Sequence, residues 1–349
     1  MDVPSAQAIR QATLPHVRVI ATGGTIAGRG ASTTSLSNYE AGALQGDELV
    51  KAVPEIRQYA DVRVEQMFNV SSSDLTVANW VELANRINTI LAGDPAVAGI
   101  VVTHGTNTLE ETAYFLNLTI KHERPVVVVG AQRPATAISS DGAINLLNAI
   151  RTASAPEARG KGVLVVMNDE INGARDVTKT STYRVETFRS PDLGFLGYVD
   201  ADKVSFYRTS TKRHTTRSEF DLSQAATLPK VDIVYSYAEP NVAILPALVA
   251  SGTRGIVFAG TGAGALSRAE RTALKNLLAS SPGAGPVLVR SSRVGSGRVI
   301  ADTANRDEYD ALGMVPADTL NPQKARVLLM LALSRTRDVA EIARMFAEY

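Results

Sequence analysis

Two short segments place hydroxyl side chains where the chain leaves a strand-like run. In Ile20-Ala21-Thr22-Gly23-Gly24-Thr25-Ile26-Ala27-Gly28, paired glycines follow an apolar, β-branched stretch. Glycines there permit a tight turn and a close backbone approach to a ligand, and they present Thr25 at the sheet edge. A Thr hydroxyl is a weak nucleophile that needs a positioned base. The second segment, Val102-Thr103-His104-Gly105-Thr106-Asn107-Thr108-Leu109-Glu110-Glu111, brings Thr106 and Asn107 to another such edge. Thr108 with Glu111 fits a capping box, so a helix is expected to start there, and its free amides favour anionic ligand groups. Lys179, in Val177-Thr178-Lys179-Thr180, follows a further strand-like run. A Lys held near neutrality is a usable base. Tyr39 is the one large residue near the end of the polar, breaker-rich stretch from Arg29, which reads as a lid.

The elements that must hold these residues are legible as alternation. Strand-like runs at Val17–Ala21, Val62–Val70, Ala98–Thr103, Pro125–Val129, Gly162–Met167, Val231–Tyr235, Gly255–Ala259 and Pro286–Val289 are separated by helical patterns. The helical patterns are Gly42–Ala52, Val77–Leu91, Leu109–Ile120, Gly142–Thr152, Ala243–Ala250, Ser267–Ala279 and Gln323–Leu333. Such alternation predicts an α/β fold with parallel strands, whose function collects at the strands' carboxyl ends. Ser181–Lys230 has no helical period and reads as small strands followed by a connection. The expected division is an N-terminal catalytic α/β domain at 1–208, a linker at 209–229 and a smaller C-terminal α/β domain at 230–349.

Composition removes several classes. The 349 residues carry 36 Lys+Arg and 35 Asp+Glu, a net charge of +1 that gives no long-range attraction to nucleic acid or an anionic membrane. The cluster Lys212-Arg213-His214 reads as a solvated loop. No cysteine is present, so disulfides and thiolate chemistry are absent, and the four histidines show no metal-ligand spacing. No apolar run approaches a membrane span. Met1–Arg10 lacks the basic and apolar regions of a signal peptide, which implies a cytoplasmic protein as the sequence is written, or a periplasmic or secreted one if a leader was removed. Gly260-Thr-Gly262-Ala-Gly264 resembles part of a dinucleotide fingerprint. Its spacing is wrong and no acidic residue ends the next strand, so close helix packing is expected instead.

Taken together, the segments resemble the bacterial type II L-asparaginase and glutaminase-asparaginase family. Thr-Gly-Gly-Thr-Ile-Ala-Gly and Thr-His-Gly-Thr-x-Thr-x-Glu-Glu-Thr-Ala are its two signatures, and the likeness continues through Gly130-Ala131-Gln132-Arg133-Pro134, Ser140-Asp141-Gly142, Arg290-Ser-Ser-Arg293 and Leu320-Asn-Pro-Gln-Lys324-Ala-Arg326. The resemblance implies hydrolysis of a side-chain amide to an acid and ammonia through a Thr nucleophile and an acyl-enzyme. It implies Thr25 as nucleophile, Tyr39 as the lid residue assisting it, and Thr106 with Lys179 as the second activating group. Ser72 would bind the substrate α-carboxylate, with Gly24, Ser73, Asp74, Gly105 and Asn107 as further substrate contacts. No metal or organic cofactor is implied. The assembly implied is a homotetramer of intimate dimers, each site completed by a neighbour's C-terminal domain.

The likeness breaks at one function. The family's Thr-Asp is Thr106-Asn107 here, and its Gly-Ser-Gln-Asp is Ser71-Ser72-Ser73-Asp74. The neighbour's Glu would fall in Thr303-Ala304-Asn305, where there is none, and Gly-Asn-Gly-Asn reads Gly262-Ala263-Gly264-Ala265. These are the positions that hold the substrate α-ammonium. The leading reading is an amidohydrolase acting on L-asparagine or a close analogue. Beside it stand the same chemistry on an amide, lactam or imide without a free α-amine, and a non-catalytic small-molecule-binding protein on the same fold.

Overall fold

The structure, a computed structural model, describes residues 14–222, 227–280 and 283–349. Met1–Arg10, where no leader was expected, lies outside the described residues, as does part of the 209–229 connection.

The N-terminal sheet is built from β1 (His16–Gly23), β2 (Asp61–Val70), β3 (Val97–Thr103), β4 (Val126–Val129), β5 (Val163–Met167), β6 (Glu170–Gly173), β7 (Gly197–Val199) and β8 (Val204–Phe206). Their spatial order is β8-β7-β6-β5-β4-β3-β1-β2. The first five strands are mutually parallel, and β6, β7 and β8 extend the sheet antiparallel. Strands β3, β4 and β5 are apolar because helices cover both faces, and their Val and Ile side chains are almost all fully buried. The chain reverses direction of growth between β1 and β3: β2 is added on one side of β1 and β3 on the other. Loops leaving such a switch point diverge and open a crevice at the strands' carboxyl ends. Thr25 and Thr106 follow those two strands.

The second sheet is parallel and in sequential order: β9 (Val231–Tyr235), β10 (Gly255–Gly260), β11 (Val287–Ser292) and β12 (Val315–Pro316). The expected helices appear close to their predicted bounds, with one main exception. Gly42–Ala52 is helical only over Gly46–Lys51, because Gly42 sits at φ +73° and spends its N–H on the Gly24 carbonyl. Two helices were not read from the sequence, Arg306–Ala311 and Val339–Glu348.

One helix packs on the second sheet and against the helix Leu109–Thr119 of the N-terminal domain. It runs Pro322–Leu333, with Asn321 capping the amide of Lys324 and Pro322 at its first position, both ordinary start signals. Beyond a polar first turn, Val327–Leu333 is apolar all round and buried, as a helix packed on every side must be. The basic cluster differs from expectation. Lys212 pairs with Asp318, Arg213 with Glu219 and Glu348, and His214 is buried, so the cluster is a neutralised tie between the connection and the C-terminus. Gly260–Gly264 closes on itself through paired Thr261–Ala265 backbone bonds, so its glycines serve a tight turn rather than helix packing. Among the described residues, no helix is long and apolar enough to cross a membrane.

Candidate active site

The crevice at the switch point is a cavity of about 560 Å³ that contains Thr25, Tyr39, Thr106, Asn107 and Lys179 together. The Gly-Gly turn explains why these loops can meet. Gly24 has φ +81°, and a Cβ there would lie 2.2 Å from the Cα of Gly105. Only glycine on both sides lets the β1 and β3 loops touch backbone to backbone.

Thr25 opens a single 3-10 turn and is 7% exposed, with its Oγ1 2.8 Å from the Tyr39 hydroxyl. Tyr39 arrives on a two-residue ribbon in which Arg29–Gly30 pairs with Tyr39–Glu40. The 29–39 stretch also rests on the loop after β4, through Ala135 N to Gly28 O, Ile138 N to Thr33 O and Gly30 N to Thr136 Oγ1. Opening it would break these few bonds and little apolar packing, which suits a lid. Amide hydrogen exchange across 29–39 is expected to slow when a substrate analogue binds; equal exchange with and without analogue would contradict a lid.

Lys179 donates to Thr106 Oγ1 at 2.8 Å and to Asn107 Oδ1 at 3.3 Å. Its amine is pushed below the ordinary Lys range by burial alone. Asn107 is engaged at both ends: Oδ1 accepts from Lys179, while Nδ2 donates to Ser73 Oγ at 2.9 Å. Ser72 is buried, and its Oγ accepts from the amides of Asn107 and Thr108 at 3.2 and 3.4 Å. Its own proton remains available to an acceptor. Ser73 and Asp74 share the same 3-10 turn and are exposed.

One local expectation is corrected. Thr108 does not close a capping box. Its hydroxyl donates to the Ser72 carbonyl at 2.7 Å, so it ties the β3 loop to the Ser72 turn, although the helix does begin at Leu109. The amide of Gly24 is occupied by the Val70 carbonyl at 3.1 Å, so it is not an oxyanion donor. The Thr25 amide is better placed, since the first N–H of a helical turn has no acceptor within that turn.

Glu110 was read only as part of a motif, yet it positions the base. Its carboxylate accepts from Thr178 Oγ1 at 3.0 Å, from the Lys179 amide at 3.4 Å, and from Asn321 and Gln323 at 2.8 and 3.3 Å. Lys324, fully buried, lies 3.8 Å away and donates to the Arg175 and Val177 carbonyls. Burial pushes Lys324 down to about 8 despite the Glu110 charge. Lys324→Ala is expected to destabilise the fold by about 3–5 kcal/mol, because it removes the countercharge of a buried carboxylate and the donor to two carbonyls. Urea denaturation checks this; a change under about 1 kcal/mol would contradict it.

The comparisons with known proteins agree with this architecture. Residues 16–212 match the asparaginase N-terminal family and residues 230–346 match the glutaminase/asparaginase C-terminal domain. The chain belongs to the asparaginase family. It is 48% identical to the L-asparaginase 2 of Bacillus subtilis over 99% of this chain and 90% of that protein. It is 45% identical to a glutaminase-asparaginase of Pseudomonas fluorescens, covering 96% and 91%. A crystal structure titled as a probable cytoplasmic L-asparaginase from Campylobacter jejuni superposes with a TM-score of 0.91 at 47% identity, covering 96% of this chain and 99% of that one. The chain is therefore an amidohydrolase of this family, with its fold of a large, mainly parallel sheet and a smaller parallel one.

Proposed function

We propose that this amidohydrolase uses Thr25 to hydrolyse a small linear amide resembling asparagine, and that its best substrate carries a carboxylate but no free α-ammonium. Thr25 Oγ1 attacks the amide carbon, its proton is relayed through the Tyr39 hydroxyl to the amide nitrogen, and collapse of the tetrahedral adduct breaks the C–N bond and expels ammonia. Water gives a proton through Thr106 to the neutral Lys179 amine as it adds to the acyl carbon, and collapse of the second adduct breaks the ester bond, releasing the acid as the proton returns to Thr25 Oγ1. The Thr25 amide supports the developing oxyanion.

The observation that carries the substrate reading is the neutral amide at Asn107. An ammonium is held best by carboxylates, and Asn107 offers no charge, while its oxygen already accepts from the Lys179 cation and its nitrogen donates to Ser73. Charge-assisted hydrogen bonds contribute about 1.5–3 kcal/mol each, so loss of two carboxylates costs a free amino acid about 3–6 kcal/mol, roughly two to four orders of magnitude. Retention of Thr25, Tyr39, Thr106 and Lys179 in one cavity supports an enzyme over a binder. Ammonia release measured on asparagine, glutamine, succinamate and a cyclic imide tests the reading: succinamate is expected to lead, and no release from any of them would favour the binder.

The matched ranges support a connection near 209–229 between two domains. The assembly proposed is a homotetramer, supported by the family and by exposed Tyr235, Tyr237 and Ile244 on the C-terminal domain.

A further inference from the structure

We infer that Asn321, on the C-terminal domain, is a positioning residue for the base: it orients Glu110, Glu110 holds the Thr178–Lys179 segment, and that segment keeps the Lys179 amine on Thr106. Gln323 takes a smaller share of the same task. The inference rests on the reading of Lys179 as the base of deacylation given above.

Lys179 needs such help because its own segment is slight. Thr178–Lys179 is a two-residue strand paired with Phe188–Arg189, and a ribbon that short fixes little by itself. The amine ends a flexible stem, yet it sits 2.8 Å from Thr106 Oγ1. Glu110 supplies the grip. It is buried in the first turn of the helix Leu109–Thr119, just beyond the Thr106 loop. From the base-bearing segment its Oε1 accepts the Thr178 hydroxyl at 3.0 Å and the Lys179 amide at 3.4 Å.

The other side of that carboxylate belongs to the start of the helix Pro322–Leu333. Asn321 Nδ2 donates to Oε2 at 2.8 Å, and Gln323 Nε2 to Oε1 at 3.3 Å. Asn321 Nδ2 also lies 3.4 Å from Thr178 Oγ1. The terminal torsion of a Glu is soft, so its partners set it. The Asn321 bond is the shortest of the four and takes the oxygen that the base-bearing segment does not use. It therefore fixes the rotation that aims Oε1 at Thr178 and Lys179, and a bond to a carboxylate is strong enough to do so.

Asn321 has a second task that the test must separate. Its Oδ1 accepts from the Lys324 amide at 3.0 Å and caps the helix. Ser and Asp cap helices about as well as Asn, and neither offers an N–H to Glu110. Asn321→Ser and Asn321→Asp thus keep the cap and remove the grip. Gln323→Met removes the second donor from a half-buried position one residue inside the helix start.

The readout is the step that fails. Ammonia leaves as Thr25 is acylated, and the acid leaves as Lys179 takes the proton of water. First-turnover ammonia release and decay of the acyl-enzyme, followed by intact mass after rapid quenching, are measured separately on succinamate and asparagine. Asn321→Ser is expected to slow acyl-enzyme decay roughly tenfold to a hundredfold and to leave first-turnover ammonia release within about twofold of wild type. Gln323→Met is expected to slow the decay about threefold. Asn321→Asp carries the test if the Ser variant does not fold. A folded variant at 321 with wild-type decay, or with both steps slowed equally, would overturn the assignment. Lys179→Met, run in parallel, separates the two claims. Unchanged decay in that variant removes Lys179 as the base and the inference with it; slowed decay there beside normal decay in the Asn321 variants overturns the inference alone. A wild type that hydrolyses neither amide overturns both.

Discussion

Thr25→Ala is expected to fold like wild type and to lose at least about a hundredfold in turnover. Thr25 is nearly buried on a one-turn helix, and its methyl environment accepts Ala without a cavity of consequence. Its hydroxyl makes one bond within the site, to Tyr39 at 2.8 Å, so removal leaves Tyr39 free to take solvent and strands no buried charge. Stability is expected within about 1 kcal/mol of wild type. Removing the hydroxyl deletes the atom that forms the covalent bond, which no neighbour can replace: Thr106 Oγ1 is engaged by Lys179 at 2.8 Å. Single-turnover assays check it, and wild-type-like turnover by the variant would remove Thr25 from the mechanism.

Much of the site was legible because it sits where an α/β sheet must place function. The ends of β1 and β3 were marked by Gly23-Gly24 and by Gly105, and both flank the switch point. Apart from the family resemblance, Lys179 was visible only as a residue after a strand. What brings it to Thr106 is a hairpin reversal through β6 and the grip of Glu110 on the Thr178 hydroxyl and the Lys179 amide, contacts between residues about 70 apart. Thr108 misled because the capping-box pattern is local while its actual partner, the Ser72 carbonyl, is remote. The final helix, Val339–Glu348, did carry a readable signal: Asp338 caps it, and Ile342, Met345 and Phe346 form its buried stripe.

The second large effect is expected at Asn107. Asn107→Asp keeps the shape and adds a negative charge beside Lys179. A unit charge about 4 Å away at an effective dielectric near 20 is worth roughly 4 kcal/mol as an upper figure. It favours the protonated amine, so the Lys179 pKa rises from the value that burial has lowered. Because the neutral amine is the base, activity rises with pH through that pKa, and the rising limb of the pH–rate profile is expected to move to more alkaline pH in the variant. An unmoved limb would separate Lys179 from base catalysis. The same carboxylate offers an acceptor to an α-ammonium. It is expected to improve asparagine relative to succinamate by about tenfold to a hundredfold, a partial recovery while Ser73 and Ala304 remain.

The central claim is that the family's amide chemistry persists here while its ammonium site has been dismantled. The most direct test is kcat/KM for succinamate and for asparagine, measured side by side on the wild-type protein. Succinamate is expected to exceed asparagine by at least tenfold; a strong preference for asparagine would contradict the account and leave an ordinary asparaginase.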